Sequence, residues 1–149
     1  MMPIGKFSFR REDIGCEKMP DYMINRPLYF NRREYWCTCV SFRGGSPFCV
    51  IPLDNVSKDL VCEIGKYAEC ASYFQNGIST VLVRAINRCE IEIESYYRCV
   101  GYQTLSVGAS CAAAAVMHTL GIVSPSVCVH NPEGCFRIEV GCDGIVRIV

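Results

Sequence analysis

A run of small residues that leads into an alanine-rich segment constrains this chain most. The run 106–110 reads SVGAS, and it precedes CAAAAVMHTL and Gly121. Alanine and leucine are strong helix formers, serine is a favoured N-cap, and glycine is a favoured residue just after a helix. We therefore predict a helix that begins within about three residues of Gly108 and ends near Gly121.

The rest of the chain predicts strands and one further helix. Residues 54–74 predict that helix, with Asp54 or Ser57 as its N-cap and apolar residues at helical spacing. Residues 1–30 show no clear period and are predicted to be an irregular lead-in. Strands are predicted at 33–42, 48–53, 79–86, 89–95, near 97–102, and at 126–130, 135–140 and 144–149. The order β-β-α-β-β-β-α-β-β-β is typical of an α+β fold, here a single domain over residues 1–149 with a mostly antiparallel sheet wrapped around a central helix.

The composition excludes several classes of protein. The chain has 149 residues, half of them apolar, with 15 basic and 15 acidic side chains. Such a chain can bury one core, and its zero net charge does not favour nucleic acid or an anionic membrane as a partner. The N-terminus lacks the apolar segment of a signal peptide, and no apolar run approaches the roughly 20 residues of a membrane span. We therefore expect a cytoplasmic protein.

Twelve cysteines are a high count for a chain of this length. Most lie in apolar, strand-like runs, where free cysteine packs as a small hydrophobe. Zinc sites favour Cys-x-x-Cys pairs or close Cys/His clusters, but the one close pair is Cys37 and Cys39, and His118 and His130 are far away in sequence. We predict reduced thiols and no metal site.

Several segments share the layout of one family's motifs. The segment 45–48 occupies the position of the family's motif Gly-Asn-Pro-His. The segment 97–103 occupies the position of Glu-Arg-Gly-x-Gly-Glu-Thr, and the segment 105–112 that of Ala-Cys-Gly-Thr/Ser-Gly-Ala-Cys-Ala. The segment 74–80 follows Phe-Pro-x-Gly-x-Asn-Val, and 127–140 follows the closing hairpin. The chain thus resembles the second, C-terminal half of diaminopimelate epimerase and related cofactor-independent amino-acid racemases, with residues 31–149 as the epimerase-like half.

The resemblance implies a fold and a set of site residues. In that family two similar domains face each other across a cleft, and each supplies a cysteine at the start of a central helix. One thiolate removes the α-proton and the other thiol returns a proton on the opposite face, without a cofactor. Aligned without gaps, Ser106 takes the place of the catalytic cysteine, and a shift of one residue would put Val107 there. The resemblance implies that Arg98, which is retained, binds the substrate. It also implies substrate-binding positions at Ser46 and Ser79, where the family has asparagines, and at Tyr97, Val107, Gly108 and Ala109. Because serine is a much poorer base than a thiolate near neutral pH, two-thiol chemistry is predicted to be lost.

Each candidate residue also has a structural interpretation. Arg98 either clamps a substrate carboxylate or is a surface arginine at a strand end. Ser106 either hydrogen-bonds a substrate or only caps the helix. The amides of residues 108–110 either bind an anion, or their small side chains simply allow close packing. Tyr97 and Tyr102 either line a pocket or pack in the core, and Cys111 is either a substitute nucleophile or a packing residue.

The sequence leaves three functions open. The first is an isomerase-like enzyme that acts on a small amino-acid-like carboxylate, in a cleft formed with a second copy or a separate partner half. The second is a non-catalytic ligand-binding pseudoenzyme, and the third is an interaction subunit derived from the same fold. All three predict association, most simply as a homodimer, because the face that the family's other half covers is apolar.

Overall fold

Strands dominate the structure. The computed structural model describes residues 2–43 and 45–149, and within them it has ten strands and three helices. The helices are α1 (Arg11–Ile14), α2 (Lys58–Glu69) and α3 (Val107–Thr119). The strands are β1 (Met2–Ser8), β2 (Arg26–Phe30), β3 (Arg33–Phe42), β4 (Phe48–Pro52), β5 (Ser79–Asn87), β6 (Glu90–Tyr97), β7 (Gly101–Gln103), β8 (Ser126–Asn131), β9 (Gly134–Val140) and β10 (Ile145–Ile148).

Eight of the strands close into a barrel. Their order around the ring is β1, β10, β9, β8, β6, β5, β4 and β3, and β3 pairs with β1 to close it. The β4/β5 and β6/β8 pairs are parallel, and the other pairs of the ring are antiparallel. Strand β2 extends the sheet beyond β3, and β7 forms a hairpin with β6. Closure leaves the ring strands without free edges.

The first 30 residues are not the irregular lead-in that the sequence predicts. They contain β1, the short α1 and β2, and β1 pairs with both β10 and β3. A bulge between Pro3 and Gly5 interrupts the alternation of β1, and Gly5 has a φ of 139°. The apolar alternation of β1 is therefore not visible in the sequence, and the strand is held by pairing with β3 and with β10 at the other end of the chain.

From residue 31 onward the predicted order of elements is confirmed. The second helix is shorter than predicted, because it begins at Lys58 and ends at Glu69. Of the two proposed caps Ser57 is the one used, and its hydroxyl accepts a hydrogen bond from the Leu60 amide at 3.1 Å. Residues 70–74 continue as separate turns, so the helical spacing of Ala71 does not mark helix.

The helix predicted at the small-residue run is confirmed. It begins at Val107 with Ser106 as its N-cap, and Gly121 follows its end in the left-handed conformation, with a φ of 77°. Residues 109–117 are all buried. The helix packs against β3, β4, β5, β6, β8, β9 and β10.

Two apolar clusters lie on opposite faces of the sheet. One surrounds α3, and the other lies between the sheet and α2. The alternation of β6 separates them: Ile91 and Ile93 face α3, while the glutamates between them lie on the outer face. Small alanine side chains along α3 let the strands approach its backbone closely. No helix among the described residues is long and apolar enough to cross a membrane.

Candidate functional site

The candidate residues gather at one end of the barrel. Phe48 and Ser79 begin the neighbouring parallel strands β4 and β5 and are register partners. Strand β6 runs antiparallel to β5, so it ends with Tyr97 beside them. Tyr97 contacts Ser106, where α3 begins. Strand ends and a helix start therefore meet at this point, as the resemblance implies.

Ser106 is the centre of a hydrogen-bond network. Its Oγ accepts from the Ala109 amide at 3.0 Å and pairs with the Tyr97 hydroxyl. Its own amide donates to Asn131 Oδ1 at 3.1 Å, and its carbonyl accepts from Ser110 Oγ at 2.6 Å. These partners are hydroxyls and amides, none of which takes a proton from serine near neutral pH. The network positions Ser106 as a cap and a hydrogen-bonding group, without a neighbouring base.

Two of the three amides predicted to bind an anion are occupied. The sequence predicts that the Ala109 amide can bind a ligand. This prediction is wrong, because Ala109 is fully buried and its amide donates to Ser106 Oγ. The Ser110 amide donates to the Ser106 carbonyl at 3.1 Å. Among the described residues, the amides of Val107 and Gly108 have no acceptor, as expected for the first turn of a helix. The anion-binding hypothesis is thereby narrowed to Val107 and Gly108.

Gly108 is small for a packing reason. A Cβ at this position would lie 3.0 Å from the Tyr97 hydroxyl oxygen and 3.1 Å from Phe48 Cζ. The Phe48 and Tyr97 rings contact each other edge to face, with centroids 5.6 Å apart. Close packing thus accounts for the glycine, and the unpaired amides of Val107 and Gly108 are a separate feature of the same turn.

Arg98 lies on the turn between β6 and β7. Its amide donates to Ser79 Oγ at 3.1 Å, so that serine supports the turn. Its side chain lies against Gly77, where an added Cβ would be 3.3 Å from Arg98 Cδ. Within the described part of the chain its guanidinium forms no ion pair. Ser46 is exposed, two residues before Phe48.

Tyr97 and Tyr102, the two tyrosines predicted to line a pocket, lie in different apolar clusters. Tyr97 packs in the cluster around α3. Tyr102 packs in the α2 cluster instead, where its hydroxyl donates to Glu94 and Lys58 Nζ lies 5.0 Å from its ring centroid. Burial, together with the Glu94 carboxylate, raises the pKa of Tyr102 above its ordinary value. Tyr102 therefore lies outside the site that Tyr97 and Ser106 form.

Cys111 is a packing residue. It is fully buried in the cluster around α3, and burial raises the pKa of its thiol to about 12. A thiol nucleophile works as the thiolate, which this environment disfavours. Of the two interpretations of Cys111, the structure supports packing.

Asn131 is a site residue that the sequence analysis missed. It ends β8, is almost fully buried, and donates from Nδ2 to Ser110 Oγ at 2.9 Å while accepting from the Ser106 amide. It therefore ties the β8/β9 hairpin to the first turn of α3. An asparagine at a buried strand position was the available signal, because buried amides are almost always hydrogen-bonded.

The cysteines divide into core and surface groups, and one surface group overturns an expectation. All twelve are free thiols, and the buried ones are Cys16, Cys37, Cys39, Cys49 and Cys111. The prediction that most cysteines pack in the core is therefore wrong, because only these five of the twelve are buried. The expectation that no Cys/His cluster exists is wrong, because Cys128, His130 and Cys135 come together on one hairpin. A Cys-x-His strand followed by a tight turn and another cysteine was the signal.

Two curated proteins of similar sequence carry the name diaminopimelate epimerase. The chain is 29% identical to diaminopimelate epimerase 2 of Nostoc sp. over 140 aligned residues. The alignment covers 94% of this chain and 48% of that protein. It is 30% identical to the diaminopimelate epimerase of Teredinibacter turnerae over 84% of this chain and 43% of that protein. The chain is related to the diaminopimelate epimerases. It spans about half or less of the length of these relatives. No family model matches the chain.

Solved structures of PhzF-family proteins have a similar fold. The chain superposes on a PhzF-family phenazine biosynthesis protein of Bacillus anthracis with a TM-score of 0.53 at 13% identity, over 70% of this chain and 34% of the other. A PhzF-family protein of Enterococcus faecalis gives 0.52 at 13% identity, over 66% and 35%. The closed barrel is thus consistent with the fold of the diaminopimelate epimerases and the PhzF proteins.

Proposed function

We propose that the chain is one half of an epimerase-like cleft and binds a small amino-acid-like carboxylate against the start of α3. In this proposal α3 is the central helix of the half, and the sheet wraps around it. The observation that carries the proposal is the first turn of α3, where the amides of Val107 and Gly108 have no acceptor among the described residues. Such amides, with the helix dipole, favour a carboxylate.

Arg98 supplies the second contact in this proposal. Arginine binds carboxylates through two parallel hydrogen bonds, and the Arg98 guanidinium has no ion-pair partner among the described residues. Tyr97 and Ser106 add hydroxyl groups, and Ser46 is exposed two residues before β4. Ser79 is buried and acts through Arg98, whose amide donates to its Oγ. No cofactor is needed for binding of this kind.

Two-thiol chemistry is lost in this proposal. Neither Ser106 nor Val107 offers a thiol, and the nearby Cys111 is buried with a pKa of about 12. Among the described residues, the Ser106 hydroxyl also has no basic hydrogen-bond partner to activate it. We therefore propose ligand binding without α-proton exchange by this half alone, with an isomerase reaction dependent on groups from the facing half.

A facing half, either a second copy or a separate protein, completes the cleft. Two exposed apolar side chains lie at the start of α3, Leu105 (47%) and Val107 (36%), and Val100 (74%) is exposed on the β6/β7 turn. An apolar rim of this kind is typical of a surface that another chain covers. This rim also fits the alternative function, an interaction subunit without a ligand.

Calorimetry with wild type and two arginine variants tests the binding proposal. The ligand panel consists of free amino acids and includes diaminopimelate. Arg98→Ala is expected to weaken binding about tenfold or more, because it removes a charge-assisted pair. Arg88→Ala, at an exposed arginine in the β5/β6 turn, is the control and should bind as wild type does. Equal binding by wild type and Arg98→Ala would remove the clamp, and no binding by any member of the panel would favour the interaction subunit.

Exchange of the α-hydrogen in deuterated solvent tests the chemistry separately. Wild type alone is expected to give no exchange above the rate of free amino acids. Rapid exchange that Ser106→Ala abolishes would show that the serine is a working base, against the proposal.

A further inference from the structure

The hairpin of β8 and β9 brings three metal-binding side chains together on the outer face of the barrel. Cys128 and His130 are two residues apart on β8, so their side chains share a face. Cys135 on β9 is the direct register partner of His130. The two Sγ atoms and a ring nitrogen of His130 all lie within 4.8 Å of one another.

This set of donor atoms fits a thiophilic divalent ion. Zinc takes thiolate and imidazole ligands in tetrahedral geometry, with bonds of about 2.0 to 2.3 Å. Three such donors therefore have to approach one another to within about 4 Å, and small rotations about χ1 would close the remaining gap. Thiolates select zinc or similar soft ions over magnesium or calcium, which prefer oxygen donors.

Glu90 holds the imidazole in place. Its Oε1 lies 3.1 Å from His130 Nε2, and its Oε2 accepts from Asn87 Nδ2 at 2.8 Å. A carboxylate on one ring nitrogen fixes the tautomer and leaves the lone pair of the other nitrogen for a metal. This pairing of carboxylate and histidine is the usual support for a zinc-bound imidazole.

The group is accessible without unfolding. Cys135 is exposed, and Cys128 and His130 are half-buried on the same face. The next residue, Asn131, points to the opposite face and bonds Ser106 and Ser110. An ion on the hairpin would thus stabilise the strand that holds the first turn of α3.

We propose that Cys128, His130 and Cys135 form a Zn²⁺ site, with Glu90 as the positioning residue for His130 and one coordination position left for water or an external ligand. This site lies on the outer face of the sheet and is independent of the proposed carboxylate cleft. It replaces the expectation, drawn from sequence spacing, that the chain has no metal site.

Cobalt titration of the reduced protein tests the site, because thiolate-bound Co²⁺ has a characteristic charge-transfer absorption. The protein is kept in a thiol-free reductant, and Zn²⁺ is added afterwards as a competitor. We expect one Co²⁺ per chain with a thiolate charge-transfer band, displaced by an equivalent of Zn²⁺. Cys135→Ser is expected to abolish the band, and since Cys135 is exposed this variant should fold normally. Cys128→Ser and His130→Ala are expected to abolish or weaken it in the same way.

Two further variants separate the site from a general effect of thiols. Cys142→Ser removes an exposed cysteine of the β9/β10 turn and should leave the titration unchanged. Glu90→Gln is expected to keep the band but weaken affinity about tenfold, because the carboxylate that orients the His130 ring is lost. Absence of a thiolate band in wild type, a band that persists in Cys135→Ser, or equal loss in Cys142→Ser would overturn the proposal.

Discussion

The side-chain hydroxyls of Tyr97 and Ser106 are hydrogen-bonded to each other where the end of β6 meets the start of α3. The contact joins two elements through the residue that caps the helix. It also places the phenol of Tyr97 against Gly108, so the Tyr97 side chain belongs both to the candidate site and to the packing around α3. Stability and ligand binding are therefore coupled at this point.

The first prediction concerns the energy of that contact. Ser106→Ala removes both the cap and the hydroxyl pair and is expected to cost about 1 to 2 kcal/mol of unfolding free energy. Tyr97→Phe is expected to cost about 1 kcal/mol, and the double variant less than the sum, because both remove one shared bond. Urea unfolding measures all three, with Tyr67→Phe at an exposed tyrosine of α2 as the control. Strictly additive losses would show that the two hydroxyls are not coupled.

The second prediction concerns Asn131. Asn131→Ala leaves the buried Ser106 amide without its acceptor and removes the donor to Ser110 Oγ, so we expect a loss of about 2 kcal/mol. Asn55→Ala, at an exposed asparagine before α2, should change stability by less than about 0.5 kcal/mol. Amide exchange in the first turn of α3 should also accelerate in Asn131→Ala. Unchanged stability would mean that water replaces the amide without cost.

Local signals account for what the sequence predicts correctly. The start of α3 follows from a serine cap and an alanine run, and β6 follows from its strict alternation. Strand β1 is not predicted from the sequence, because a bulge at Gly5 interrupts the alternation of its side chains and its partner strands are distant in sequence.

The site is less predictable than the fold because its contacts are long-range. Asn131 and Ser106 are 25 residues apart, and the packing of β8 against α3 brings them together. The grouping of His130 with Cys135 likewise depends on strand register rather than on spacing that a motif search would recognise.

The third prediction sets helix propensity against packing at Gly65. Alanine is favoured over glycine in a helix interior by about 1 kcal/mol, so Gly65→Ala should stabilise α2 if propensity decides. The added Cβ would lie only 2.4 Å from Tyr96 Cδ1 and 2.8 Å from Tyr96 Cβ, which forces α2 away from the sheet. We expect a net loss of about 1 to 3 kcal/mol.

Relief of that clash provides the control. In a Tyr96→Ala background, which removes the ring and leaves only the 2.8 Å contact with Cβ, the same Gly65→Ala change should cost less stability than in wild type, measured by urea unfolding of the four proteins in the cycle. A gain in stability for Gly65→Ala alone would contradict the packing argument.

The fourth prediction is a loss of stability at high pH that depends on Cys111. Burial raises the pKa of this thiol from its ordinary 9.0 to about 12, so near pH 10 the unfolded chain releases a proton that the folded chain keeps. A raised folded-state pKa gives stability that is complete below the unfolded pKa and is lost as pH rises toward the folded one. Each pH unit above the unfolded pKa then costs roughly 1.4 kcal/mol for this thiol. Between pH 8 and pH 10, wild type should lose roughly 1 kcal/mol more unfolding free energy than Cys111→Ala, and the exposed-site control Cys142→Ala should match wild type. An equal loss in Cys111→Ala and wild type would show that the buried thiol does not set the alkaline limit of this fold.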